Sequence, residues 1–165
     1  MAKGNLKLAE RLRYTVPRFR LFLVNEDPVP SDLRSLKTPH DVEDIFEPLR
    51  YSPEEQFVSL HLNARHEIIG LHEVSHGSLS ASLVHPREVY KAALLANSYA
   101  ILVCHNHPSG SKVFPSREDI DTTGQLLQAG KLLGIQLVDH LIVGPNQPAY
   151  SLRENHPHLW INKQI

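Results

Sequence analysis

The stretch YAILVCHNHPSGSKVFPSREDID, residues 99–121, decides how this chain is read. Tyr99–His105 is a continuous apolar run, the pattern of a central strand buried on both faces. It stops in a loop, His107–Pro115, that holds two prolines and a glycine. Ser116-Arg117-Glu118-Asp119 then fits a capping box, with Ser116 as N-cap and an acid three residues on. The helix it opens runs from about Arg117 to Leu133 and closes at Gly134. A buried strand that ends in a loop before a helix is where α/β proteins place their sites.

His105 and His107 stand two apart at the end of that strand. In extended chain, positions i and i+2 point to the same face, so both imidazoles reach one ion, whereas a helical pair needs i, i+4 spacing. Asp119, in a first helical turn, is kept ionised by the helix dipole and supplies a third ligand. Two histidines and one carboxylate, with a fourth position for water, form a catalytic rather than a structural zinc set. Taken singly, each piece has a plainer reading: an HxH pair on a strand, a helix cap, and a turn at Pro108–Gly110. Their joint occurrence on strand, loop and helix start carries the metal reading. Cys104 faces the opposite side of the strand and reads as core.

Outward from this stretch, Gln136–Val143 (QLVDHLIV) reads as the next strand and Ala149–Arg153 as a weaker last one. Asp139 and His140 are adjacent on that strand and therefore face opposite ways; either is a candidate to orient a ligand histidine, with a plain structural hydrogen bond the simpler role. His156 and His158 repeat the HxH spacing in the tail with no acid following, and are set aside. On the N-terminal side, a helix opens at His85–Pro86 and runs through Ala96. Phe57–Leu62 and Glu67–Val74 form a hairpin across Asn63–Arg65. Thr38 caps a helix with Pro39 at its first position, running to about Arg50, with Val42, Ile45, Phe46 and Leu49 on one face. Asn25–Lys37 reads as a loop, Arg18–Val24 as a half-buried edge strand, and residues 1–16 as a polar lead-in. The fold class is α/β (mixed α+β), a central mixed β-sheet flanked by helices. The expected division is a lead-in at 1–37, a domain at 38–154 and a tail at 155–165.

At 165 residues, 41% hydrophobic and 21% charged, the chain suits one globular domain. No apolar run approaches the roughly 18–20 residues that span a bilayer, and the first residues lack an apolar signal region. The single cysteine excludes an intramolecular disulfide framework, and a cytoplasmic protein is expected. A net charge of −1 weighs against a protein built to grip phosphate backbone, although Lys3, Lys7, Arg11, Arg13, Arg18 and Arg20 crowd the start, a run that reads first as a solvated segment.

HNHPSG followed by SRED resembles the JAMM motif as RadC-like proteins carry it. The flanking stretches HEVSHGSLSASLVHPREVYKAALLANSYAILVCHNHPSG and EDIDTTGQLLQAGKLLGIQLVDHLIVG are similar to that family's core, so the resemblance covers roughly residues 38–154. It implies a single JAMM/MPN-type domain of the JAB metalloprotease fold, with cytidine-deaminase-like layering. It implies zinc on His105, His107 and Asp119, and Ser116 as the serine that stabilises an oxyanion. It also implies a glutamate general base beside the metal. Glu55, Glu73 and Glu88 are the candidates, and Glu55 is favoured because it follows a helix at the mouth of the first hairpin strand. The loop before Ser116 is one residue longer than the family's usual spacing, within Ser111–Phe114, an insertion able to shift Ser116 and Asp119. The helix-hairpin-helix region of longer members has no counterpart, so a catalytic-type domain standing alone is expected. The implied function is a zinc-dependent hydrolase, of metallopeptidase or isopeptidase type, acting on an amide or peptide bond of a protein or peptide substrate. The rivals are a DNA-repair-associated factor or metal-dependent nuclease, and a non-catalytic MPN interaction module. The letters HNH at 105–107 do not make the ββα nuclease motif.

Overall fold

A computed structural model of the chain describes residues 23, 24, 26, 36, 39–77, 84–108 and 113–161. Five strands make one mixed sheet in the order β2-β1-β3-β4-β5. They are β1 Gln56–Leu62, β2 Ile68–His76, β3 Ala100–Asn106, β4 Gln136–Val143 and β5 Tyr150–Ser151. β1 pairs antiparallel with β2 and with β3, β3 lies parallel to β4, and β4 is antiparallel to β5. The parallel pair requires a crossover, which the helix Arg117–Leu133 supplies. β3 sits in the middle of the sheet and is buried along its whole length, as its unbroken apolar run requires.

Alternation along β1 and β3 divides the core into two layers. Val58, Leu60, Leu62, Ala100, Leu102 and Cys104 pack on one face under Val42, Phe46 and Leu49, which come from α1 (Pro39–Ile45), α2 (Glu47–Arg50) and the break between them. Phe57, Ile101 and Val103 pack on the other under Val89, Tyr90 and Ala93 of α3 (Pro86–Leu95) and Leu126 of α4 (Arg117–Leu133). Cys104 therefore does face away from the side of Ile101 and Val103, and burial pushes its thiol well above the ordinary range, which keeps it protonated. Arg50, itself buried, ties α2 to the turn after β4: it donates to the carbonyls of Gly144 (3.3 Å) and Gln147 and pairs with Glu47 at 2.9 Å.

The structure departs from the sequence reading at four places. The helix expected from Thr38 to Arg50 is two helices, because Pro48 lacks an N–H and clashes with the carbonyl a turn earlier. Thr38 and its capping role lie outside the described residues, as do residues 1–16, most of Arg18–Val24 and most of Asn25–Lys37. Leu23 and Val24 are exposed and belong to no strand. The last strand is only two residues long, because Ser151 caps a helix, α5 (Leu152–Asn155), by accepting from the Glu154 amide. The expected tail continues as α6 (His158–Ile161), and Trp160 Nε1 donates to the Leu137 carbonyl, 3.0 Å away. No helix among the described residues is long and apolar enough to cross a membrane.

One buried histidine makes stability depend on pH. His61 is 3% exposed, held between Ser59 Oγ (3.1 Å) and Ser98 Oγ (3.0 Å). Burial, with a smaller contribution from the charge of His72, pushes its pKa down from 6.5 to about 4. The unfolded chain thus takes up a proton near pH 6.5 that the folded chain refuses until about pH 4. This contribution is full above pH 6.5 and is lost as the pH falls through that window. At about 1.4 kcal/mol per pH unit it amounts to on the order of 3 kcal/mol. Urea titrations of metal-free protein across the window should show this slope in the parent and a flatter one in His61→Gln. Equal slopes would show that His61 titrates normally.

Candidate metal centre

The centre forms where the central strand leaves the sheet. His105 is 1% exposed and lies on the α3/α4 face. Its ring stacks on Phe57, with centroids 5.9 Å apart and planes 7° from parallel. The extended backbone continues one residue past β3, because the His107 amide donates to the Val143 carbonyl at 2.9 Å. That extra ladder bond preserves the period of two, and both imidazoles emerge on one side. Their Nε2 atoms are 3.1 Å apart.

Asp119 arrives from the first turn of α4 and is 3% exposed. The capping box read from the sequence is present: Ser116 Oγ accepts from the Asp119 amide at 3.1 Å, and Asp119 Oδ2 accepts from the Ser116 amide and hydroxyl, each at 2.7 Å. With Oδ2 anchored in the cap, Oδ1 turns to the histidines and lies 3.2 Å from His105 Nε2. Asp119 Oδ2 is 3.8 Å from His107 Nε2. Tetrahedral zinc with bonds of about 2.0–2.1 Å separates its ligand atoms by roughly 3.4 Å, and the separations of 3.1, 3.2 and 3.8 Å lie about that value, so this donor set suits such an ion. Among the described residues these three side chains are the group able to hold a metal. Burial alone would push the Asp119 carboxyl up. Hydrogen bonding and charge from His105, and the two hydrogen bonds from Ser116, outweigh that and hold it well below the usual carboxylate range. It is therefore an anion ready for a cation.

The longer loop does not carry Asp119 away. Residues 109–112 lie outside the described residues, but the chain re-enters the core at Val113, 8% exposed and packed against Gly144. A Cβ at Gly144 would meet Val113 Cγ1 at 2.6 Å, so glycine is required for the loop to close there. Phe114 packs edge-on against Tyr150, centroids 5.6 Å apart.

Behind His105 lies a buried relay. His105 Nδ1 is 2.9 Å from His140 Nε2, His140 Nδ1 is 2.6 Å from Thr123 Oγ1, and Thr123 Oγ1 donates to the Asp119 carbonyl at 2.6 Å. One proton arrangement satisfies all three bonds. If His105 offers the Nε2 lone pair to a cation, Nδ1 carries the proton and donates to His140 Nε2; His140 then donates from Nδ1 to Thr123, whose hydroxyl donates onward. Burial and the neighbouring His105 hold the His140 pKa well below its ordinary value, which keeps His140 neutral as this scheme needs. A bulge aims it there: Ile101 pairs with Leu137 but Val103 with His140, so β4 has an extra residue. Strict alternation from Leu137 would send residue 140 to the other face. The Asp139 side chain is not in the relay: its carboxylate accepts from Ser151 Oγ (2.6 Å) and from the amides of Arg153 (3.0 Å) and His140 (2.7 Å), and fixes the β4–β5 corner. His140→Leu should weaken zinc binding about 10–100-fold by chelator competition, because His105 Nδ1 loses its acceptor. Unchanged affinity would make the relay a packing feature only.

Of the three candidate glutamates, Glu55 is the one whose carboxyl lies within electrostatic reach of the cluster. Burial raises its pKa; the charge of His105 lowers it and that of Asp119 raises it. Glu73 is exposed on β2. Glu88 pairs on α3 with Lys91 at 2.6 Å and Arg87 at 3.0 Å. His156 and His158 meet edge to face, with centroids 5.8 Å apart, and lie outside the cluster. Thr123 was not legible as a site residue; its one sequence signal is its place a helical turn after Asp119.

A family model described as the RadC-like JAB domain matches residues 36–157. A UPF0758 protein of Alkaliphilus metalliredigens is 49% identical over 120 residues, covering 72% of this chain and 51% of its own length. One from Halalkalibacterium halodurans is 46% identical over 120 residues, with the same coverage of each. One from Methanosarcina mazei is 46% identical over 112 residues, covering 67% of this chain and 48% of its own. The chain spans about half the length of the curated relatives it matches.

Proposed function

This chain belongs to the RadC-like JAB domain family, and on that premise we propose that it is a zinc-dependent hydrolase of an amide, peptide or isopeptide bond. The observation that carries the reading is the convergence of His105 Nε2, His107 Nε2 and an Asp119 oxygen within one ion's reach. Two imidazoles and one carboxylate are the ligand types and number of a catalytic zinc site, and borderline ligands of this kind suit zinc better than magnesium or calcium. Bound there, zinc supplies Lewis acidity at the scissile carbonyl and an acidified water.

The chain's own groups supply the rest. Glu55 accepts the attacking water's proton and passes it to the leaving amine. Its burial favours the protonated form relative to a surface glutamate, which suits a group that must hold a proton in mid-reaction. Ser116 stabilises the oxyanion after its hydroxyl turns from Asp119 Oδ2, its partner at rest. Phe57, packed on both His105 and His140, keeps water from the rear of the site. The substrate is a protein or peptide; a net charge of −1 does not favour nucleic acid.

The test is hydrolysis of a pool of quenched fluorescent peptides and of an isopeptide-linked model substrate. Activity that a chelator removes and zinc restores supports the reading. Metal-dependent DNA cleavage, with DNA binding that weakens as salt rises, would replace it with the nuclease. A zinc-loaded chain that hydrolyses neither would be an interaction module.

A further inference from the structure

Between the two histidine ligands lies a residue that points the other way. Asn106 is wholly buried at the end of β3, and the period of two turns its side chain from the face that carries His105 and His107. Its carboxamide is spent on one segment of chain. The Nδ2 protons go to the carbonyls of Ser52 (3.3 Å) and Glu54 (3.0 Å), and Oδ1 accepts from the Gln56 amide (2.7 Å). Two carbonyls on one side and an N–H on the other fix which end of the amide is nitrogen. These three backbone groups bracket Glu55.

The bracketed segment leads into β1, whose first residue, Gln56, pairs with His76 of β2, while Ser52–Glu55 lie before the strand. Its other backbone ties are at its two ends: the Ser52 amide donates to the Leu49 carbonyl at 3.3 Å, and the Gly77 amide donates to the Glu55 carbonyl at 2.9 Å. Within it, Glu54 turns outward to His76, 3.2 Å away, while Glu55 lies within electrostatic reach of His105 and Asp119. We propose that Asn106 is the positioning residue for Glu55: the tripeptide His105–Asn106–His107 holds the metal on one face of the sheet and the segment carrying the proton acceptor on the other. The placement of acceptor relative to metal is then set within three residues of one rigid strand. This rests on the reading of Glu55 as the proton acceptor.

The experiment uses the zinc-loaded full chain, with Asn106→Ala and Asn106→Asp each made alone and with Glu55→Gln. Alanine removes all three hydrogen bonds. Aspartate keeps the shape and the acceptor for Gln56 but has no protons for Ser52 and Glu54, so it separates hydrogen bonding from packing. Both variants are expected to retain about one zinc per chain, because the ligands lie on the other face. Crystal structures should show the Glu55 carboxylate displaced from the metal. With the peptide pool, kcat should fall roughly 100-fold at unchanged KM, the cost of misplacing a reacting group by about 1 Å. In the Glu55→Gln background the same substitutions should change nothing further. Glu55 left in place in both variants would overturn the proposal, and so would an equal loss of rate on top of Glu55→Gln. Full turnover by Glu55→Gln alone would sink the base assignment instead. In that case, or if the parent cleaves no peptide, the crystallographic position of Glu55 decides whether Asn106 holds it.

Discussion

His107→Ala is expected to yield a folded chain that carries little or no zinc, where the parent purified without added metal carries about one zinc per chain. Removing one of three protein ligands leaves His105 and Asp119, too few to hold the ion against solvent. His107 is the ligand to change, because its side chain is 21% exposed at the rim, while those of His105 and Asp119 are 2% and 4% exposed. His105 also stacks on Phe57 and bonds His140, so its loss would disturb the core as well as the metal. Elemental analysis of parent and variant, beside melting curves with and without zinc, separates the two effects. Zinc should raise the melting temperature of the parent and not of His107→Ala, since a ligand stabilises only the state that binds it. Equal zinc in both would put the metal elsewhere, and no zinc in either would favour the interaction module.

What made the His105–His107–Asp119 cluster legible is that its signals are local. His105 and His107 are read by a period of two on a strand whose burial its composition announces. Ser116 and Asp119 are read by a capping box, and Gly134 by the left-handed C-cap conformation it adopts, φ 70°. Pro48 is an equally local signal, but the apolar face of Val42, Phe46 and Leu49 continues across the break it causes and masks it. The bulge in β4 was out of reach. Whether Asp139 or His140 faces the site depends on how β4 pairs with β3, and nothing in QLVDHLIV marks the extra residue. Asn106 reads from sequence as a spacer between two candidate ligands; its partners, Ser52, Glu54 and Gln56, come from the segment leading into the neighbouring strand and from that strand's first residue, some fifty positions away in the chain. Sequence patterns report which face a side chain takes, and pairing register decides what stands opposite it.

Glu55→Gln should bind zinc as the parent does and lose about 10²–10⁴ in kcat on any peptide the parent cleaves. The amide matches the carboxylate in shape and can donate a hydrogen bond, but it cannot take a proton from water. A loss of this size at constant metal content therefore isolates proton transfer from metal binding and from folding. Glu73→Gln and Glu88→Gln supply the contrast. Glu73 is exposed on β2, and Glu88 is held by ion pairs with Arg87 and Lys91 on its own helix, so each should stay near parental turnover. Glu55 differs from both because two ligands of the candidate centre act on its carboxyl with opposite sign. Steady-state rates for the three variants, each with its zinc content measured, decide the assignment. Full turnover by zinc-loaded Glu55→Gln would show that the proton goes to another group, and a matching loss in Glu73→Gln would name it.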